Sequence, residues 1–279
     1  MTAYVHIGTP KTGTTTIQKF LSINSCNIRK QGVVYIKSIE KNYQHWLLVD
    51  IVYDIIKKYP DGYSDKCAKY IKNSRVFELL KKEILYYNRK GYDFFIFSTE
   101  GITREFYDIK FIYILKYILN ILGFSKIYIV VYFRNIINFL SSFSIQNVRT
   151  GNPTISSDMI NPELNPVLFV MNYKWIIDKY SEVFGKSNLI IRVFDYKMFI
   201  ENNLLKDFIY VLKLKWDSNF YIPEDQNKAL NLIGVELQRR INKILPNEYY
   251  NNISCIKKQI NPLRNFISSF IKKHFSFSV

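Results

Sequence analysis

Only three cysteines, Cys26, Cys67 and Cys255, occur in 279 residues. They are far apart, odd in number and never in a CxxC pair, which argues against a disulfide framework or a structural zinc site and fits a reducing compartment. Long apolar runs are equally scarce. The most apolar stretch, Phe111 to Phe124, is too short to span a bilayer and is interrupted by Lys116, so it reads as a buried core helix. The first strand signal begins almost at Met1, and no secretory leader is expected ahead of it. A cytoplasmic protein is the expectation. Acidic residues are the other deficit: 23 Asp and Glu stand against 39 Lys and Arg, a net charge of +16. That balance favours a polyanionic partner, or else is only a lysine-rich solvated surface. The chain shows no zinc-finger spacing, no RNP-like strand and no helix-turn-helix pattern, so nucleic acid is not the expected partner.

Apolar residues make up 48% and charged residues 22%, which excludes wholesale disorder. One α/β domain is expected over residues 1–279, with a core of about 3–214 and a helical, basic extension of about 229–279. Strand signals fall at Ala3 to Ile7, Gly32 to Ile36, Asp93 to Ser98, Lys126 to Phe133 and Asn188 to Phe194. Helical spacing is predicted for Thr14 to Leu21, His45 to Tyr59, Lys66 to Arg89 and Tyr107 to Leu122. It recurs after Arg134, then over Val167 to Phe184, Met198 to Leu214, Ala229 to Leu245 and Ile253 to Phe275. Pro60-Asp61-Gly62 reads as a turn, and Gly151 to Pro166 as a mobile surface loop. Short buried strands alternating with helices call for a central parallel sheet covered on both faces. The segments after Ile7, Phe97, Phe133 and Phe194 should then converge, because ligands of such sheets bind at the carboxyl ends of the strands.

The segment after Ile7 is Gly8-Thr9-Pro10-Lys11-Thr12-Gly13-Thr14-Thr15. A glycine-containing loop between a strand and a helix offers backbone N–H groups and a positive helix end to an anion. The triphosphatase version carries Lys directly after its second Gly. Here Lys11 precedes Gly13, and Thr14 stands where that Lys would be, an order that disfavours a Mg-triphosphate.

Pro10-Lys11-Thr12-Gly13-Thr14-Thr15 resembles the PK[ST]GTT loop with which sulfotransferases bind the 5'-phosphosulfate of 3'-phosphoadenosine-5'-phosphosulfate (PAPS). Arg134-Asn135-Ile136-Ile137-Asn138-Phe139-Leu140-Ser141-Ser142 resembles the family's RNPxDxxxS segment, with Ile136 for its Pro and Asn138 for its acid. Trp175, Phe184-Gly185, Ile190 to Asp195 and Leu204 to Phe208 are similar to a bacterial branch of that family, so the likeness covers most of Tyr4 to Leu214. The resemblance implies PAPS as donor, the product 3'-phosphoadenosine-5'-phosphate (PAP) and no metal. It implies a 3'-phosphate clamp of Arg134 and Ser142, with Phe194 either at the adenine or simply in the core. Lys11 is the candidate for stabilising the leaving phosphate. For the catalytic base, Glu100 at the end of a strand is favoured over His45, which resembles an NHH-like segment of the bacterial branch. His6 reads as structural. The acceptor is expected to be a polysaccharide or other glycan, given the basic charge. The tail with Lys257, Lys258, Arg264, Lys272 and Lys273 either packs on the domain or touches the inner membrane surface. A kinase-like ATP enzyme and a non-catalytic polyanion binder remain the alternatives.

Overall fold

The computed structural model describes residues 1–60, 65–151, 166–223, 228–245 and 257–278. Most of the predicted loop from Gly151 to Pro166, two residues of the Pro60-Asp61-Gly62 turn and the start of the last predicted helix lie outside the described residues.

Five strands form one parallel sheet: β1 (Thr2–His6), β2 (Val33–Tyr35), β3 (Phe94–Ser98), β4 (Lys126–Phe133) and β5 (Leu189–Val193). Their spatial order is β2-β3-β1-β4-β5, every pair is parallel, and β1 sits in the middle with Val5 opposite Phe97 on one side and Ile129 on the other. The chain is an α/β protein with its sheet covered on both faces. Strand alternation builds the two covers, since successive side chains point to opposite faces. Ala3, Val5, Phe95, Phe97, Ile129 and Val131 enter one apolar cluster, while Tyr4, Ile96, Val130 and Tyr132 enter the other. Each fully buried Val, Ile or Phe contributes roughly 1.5–3 kcal/mol.

The contacts divide the chain into two compact units. The first, Met1–Arg134 with Phe169–Pro223, holds the parallel sheet. Its helices are α1 (Thr14–Ile23), α2 (Ser25–Lys30), α3 (Trp46–Lys58), α4 (Asp65–Lys72), α5 (Arg75–Asn88), α6 (Gly101–Glu105) and α7 (Ile109–Ile121). After the second unit's α8 (Ile136–Thr150), α9 (Tyr173–Phe184) and α10 (Leu204–Val211) complete it. Helices α3, α5, α7 and α9 line the first cluster, and α1 and α10 line the second. The second unit, Asn135–Leu168 with Glu224–Val279, also contains α11 (Leu232–Ile244), α12 (Lys257–His274) and an antiparallel pair, β6 (Lys228–Leu230) and β7 (Ser276–Ser278). Val148, Leu230, Val235 and Ile271 form its small apolar core.

Four predicted helices are shorter or interrupted, each because a polar side chain satisfies the free N–H groups of a new helix start. The run over Lys66 to Arg89 breaks at Ser74, whose hydroxyl accepts from Phe77 N at 3.2 Å. In Val167 to Phe184 a 3-10 turn (Pro166–Met171) comes first, and Asn172 then caps α9 through Trp175 N at 3.1 Å. Within Met198 to Leu214, Glu201 and Asn202 take left-handed φ of 51° and 54°, and Asn203 restarts the helix by accepting from Leu205 N and Lys206 N. Residues predicted to open the helix Ala229 to Leu245 form β6 instead, and Asn231 caps α11 by accepting from Gly234 N.

One buried charge ties the second face together. Asp207 on α10 is fully buried and pairs with Arg192 of β5 through both carboxylate oxygens, one at 3.0 Å from Nε. The Tyr132 hydroxyl donates to Asp207 Oδ2 at 2.8 Å, and Ile200 N donates to Oδ1 at 3.2 Å. Burial, and behind it the neighbouring carboxylate, pushes the Tyr132 hydroxyl pKa well above its ordinary value, so it remains a donor. Removing one partner of such a network strands the others without water. Asp207→Ala is therefore expected to cost about 3–5 kcal/mol, read as a lower urea midpoint at unchanged slope. A loss under about 1 kcal/mol would show that the network is not what holds α10 to the sheet.

Candidate active site

The carboxyl end of β1 runs straight into the loop, and the loop's shape is fixed by bonds from its neighbours. Gly8, Lys11 and Gly13 all lie in the left-handed region, with φ of 43°, 68° and 67°. A non-glycine residue held there costs on the order of 1–3 kcal/mol, which its surroundings must offset. They do so at Lys11: Arg134 Nη1 donates to Lys11 O at 2.9 Å. Thr12 is buried and its hydroxyl donates to Thr9 O at 2.6 Å, while Thr9 donates to Tyr132 O of β4 at 2.6 Å. From the other side, the Thr103 hydroxyl of α6 donates to Gly8 O. The loop is thus tied to the segments after both strands flanking β1.

Two glycines have no room for a side chain. A Cβ on Gly8 would sit 2.5 Å from Thr14 Cγ2, and one on Gly13 would collide with Leu204 at the start of α10. Gly13 precedes α1 without any side-chain cap, and the first turn of α1 holds no acid. The first intrahelical bond is Ile17 N to Gly13 O at 3.0 Å, so the N–H groups of Thr14, Thr15 and Thr16 have no helical acceptor. They form the positive end of the helix, facing out at the loop.

Arg134 follows β4 and is half-buried. Its guanidinium lies 5.4 Å from the ring centroid of Phe194, which follows β5, while Tyr173 donates to its carbonyl at 2.7 Å. Burial pulls the Arg134 pKa down from its usual value. No carboxylate forms an ion pair with it among the described residues. A cation partly stripped of water and given no counter-charge is poised for an anion. Phe194 is itself half-buried, packed edge-to-face on Phe199 and beside Gly13. The loop, Arg134 and Phe194, which together span more than 180 residues of sequence, therefore meet at the carboxyl end of the sheet. Ser142 lies on α8, in the second unit, and is half-buried. Pro10 and Lys11 are partly exposed and Thr15 exposed.

The two candidate bases separate. Glu100 lies two residues beyond β3, immediately before α6, half-buried, and its Oε2 accepts from the Thr14 hydroxyl at 2.8 Å, which puts the carboxylate beside the loop. His45 instead sits in the core. It is fully buried between Tyr35 and Phe97; its Nε2 pairs with Ile36 O at 2.7 Å and its Nδ1 accepts from Ser98 N at 2.9 Å. Neither ring nitrogen is left to face a ligand. His6 is fully buried too, its Nδ1 bonded to Ser98 Oγ at 2.8 Å. The residues that sequence reasoning missed are Thr103, Tyr173 and Leu204. Each shapes the site through a backbone contact or packing, which no motif spacing announces.

No protein-family model matches the chain, and no curated protein matches it. Among solved structures it is similar to the crystal structure of a sulfotransferase from Alicyclobacillus acidocaldarius, with 14% identity, 94% of this chain and 95% of that chain covered, and a TM-score of 0.45. A likeness of that degree assigns no reaction and no residue role; the α/β fold stands on the sheet itself. Among the described residues, no cluster of His, Cys, Asp and Glu is placed to hold a metal ion, and no helix is long and apolar enough to cross a membrane.

Both buried histidines give a pH signature. Desolvation lowers His6 to about 3 and His45 to about 4, against 6.5 for the free group. A depressed folded-state pKa means that the unfolded chain takes up protons first as pH falls below 6.5, so stability is full above that value and drains away toward pH 3–4. Between pH 7 and pH 5 the unfolding free energy is expected to fall by about 2 kcal/mol per histidine. Denaturant titrations at the two pH values check this. Equal stability at both would mean that the rings titrate normally in the folded state.

Proposed function

We propose that this chain is a sulfotransferase, moving a sulfuryl group from PAPS to a hydroxyl or amine of an acceptor, with a glycan or glycoconjugate as the acceptor class. The observation that carries the reading is Arg134: a half-buried guanidinium without a carboxylate among the described residues, hydrogen-bonded to the loop that carries Lys11. A nucleotide with a second, separate phosphate gives both cationic places an occupant. The strained loop, the uncapped end of α1 and the cation–π pair of Arg134 and Phe194 fit such a ligand better than a Mg-triphosphate, because Lys11 comes before Gly13.

PAPS, when bound, supplies an activated sulfate whose leaving group is a phosphate. The chain's residues do the rest by positioning and electrostatics. Backbone N–H groups of Gly13 to Thr15 and the dipole of α1 hold the 5'-phosphate. The Lys11 ammonium neutralises charge developing on it. Arg134 holds the 3'-phosphate, and Phe194 offers its ring to the adenine. Glu100 takes the proton of the attacking acceptor group, a role given to it over His45 because its carboxylate borders the loop. The net charge of +16 supports an acidic or extended acceptor. A cytoplasmic location, with or without a peripheral contact of the basic tail at the membrane, belongs to the same proposal.

Calorimetry tests the donor. PAP is expected to bind without Mg2+ and at least about tenfold more tightly than ATP with Mg2+. Arg134→Ala is expected to weaken PAP binding by about 10- to 100-fold through loss of charge-assisted hydrogen bonds. No PAP binding by the wild-type protein, or a preference for ATP with Mg2+, overturns the reading. With 35S-labelled PAPS offered to glycan, lipid and small-molecule acceptors, Lys11→Ala is expected to lower transfer to whichever one is labelled by about 100-fold or more. Wild-type transfer in that variant would remove Lys11 from the reaction.

A further inference from the structure

Thr14 occupies an unusual position between the two halves of the site. It is the first residue of α1, it is 3% exposed, and its hydroxyl donates to Glu100 Oε2 at 2.8 Å. Its methyl group is wedged against Gly8, where an added Cβ would lie 2.5 Å away. Packing therefore fixes where the Thr14 oxygen sits. The backbone on the far side is fixed as well: the Thr103 hydroxyl donates to Gly8 O and lies 3.1 Å from Glu100 O. What remains free is rotation of the hydroxyl hydrogen about the Cβ–Oγ1 bond.

A threonine hydroxyl has one proton to donate. While it goes to Glu100, Thr14 turns only oxygen lone pairs toward an anion at the end of α1, which repels a phosphate. Once the proton turns to a phosphate oxygen, Glu100 Oε2 loses its hydrogen bond and is open to another donor. The two acceptors compete for one proton, and both are anionic.

We propose that Thr14 is a positioning residue that couples occupancy of the donor site to the availability of Glu100 as base. The proposal rests on the sulfotransferase reading. In the free protein the Thr14 proton engages one lone pair of Glu100 Oε2 and lowers its basicity; in the complex it serves the 5'-phosphate, and Oε2 is released to receive the proton of the acceptor hydroxyl. In the transfer itself, the acceptor oxygen forms its bond to sulfur as its proton passes to Glu100. The bond between sulfur and the bridging oxygen breaks, and its electron pair stays with the departing phosphate. An acceptor that arrives before the donor meets a base with one lone pair of Oε2 already engaged by Thr14.

A double-mutant cycle on the full chain, with PAP alone as probe and calorimetry as readout, needs no acceptor. Because Glu100 competes for the hydroxyl, the Thr14 bond to phosphate is worth more when Glu100 is absent. Thr14→Val is expected to weaken PAP binding by about threefold in the wild-type background and about thirtyfold in Glu100→Ala. Thr14→Ser, which keeps the hydroxyl, should restore affinity to within about twofold in both. If Glu100→Ala fails to fold by circular dichroism, Glu100→Met takes its place, keeping the bulk without the acceptor. The charge change at Glu100 alters affinity equally with and without the hydroxyl, so it cancels in the cycle. A Thr14→Val penalty that is the same in both backgrounds overturns the coupling while leaving PAP recognition intact. Failure of the wild-type protein to bind PAP removes the donor assignment and the coupling together.

Discussion

The left-handed turn at Lys11 is the constraint on which the site depends. A lysine resists that conformation, so the loop exists in this form only because other parts of the sheet hold it. Arg134 takes the Lys11 carbonyl, Tyr132 anchors Thr9 through its carbonyl, and Thr103 takes the Gly8 carbonyl. These ties come from β4 on one side of β1 and from the segment after β3 on the other. The sheet order, with β1 central, is what makes both sides available. With the carbonyls engaged by those neighbours, the N–H end of α1 is left open to a ligand.

The same economy governs the polar groups buried beneath. Ser98 gives its backbone N–H to His45 and shares a hydrogen bond between its hydroxyl and His6 Nδ1, one residue before Thr99 and two before Glu100. The end of β3 is thereby held by two buried rings, so Glu100, in the two-residue turn between β3 and α6, follows directly from an anchored strand. On the opposite face Asp207, Arg192 and Tyr132 join α10 to β4 and β5, and Leu204 at the start of α10 abuts Gly13. Strand ends, loop and helix start are parts of one hydrogen-bonded frame. Chemistry at its edge inherits the frame's rigidity.

Much of this frame was legible in the chain. The strand Lys126 to Phe133 was readable to its boundaries, because a β-branched and aromatic run can be buried on both faces only in a central strand. The other four strands of the sheet were also located, to within a residue or two at each end. The helix starts at Ser74, Asn172 and Asn203 were less visible, since apolar spacing continues across each one and only the cap geometry reveals the break. The short pair β6 and β7 was not legible at all. Its two strands are almost 50 residues apart, and three residues carry too little pattern to announce pairing.

For the site, local sequence determined the loop, the order of Lys11 and Gly13, and Arg134 at the end of the strongest strand. These follow from short-range chemistry, which spacing records. Tertiary structure alone separated the two candidate bases. The sequence favours Glu100 over His45 without excluding either, and packing encloses His45 between Tyr35 and Phe97 while it leaves the Glu100 carboxylate on the loop beside Thr14. Burial and hydrogen-bond partners arise from residues distant in the chain, and which histidine loses its water is set by the fold as a whole.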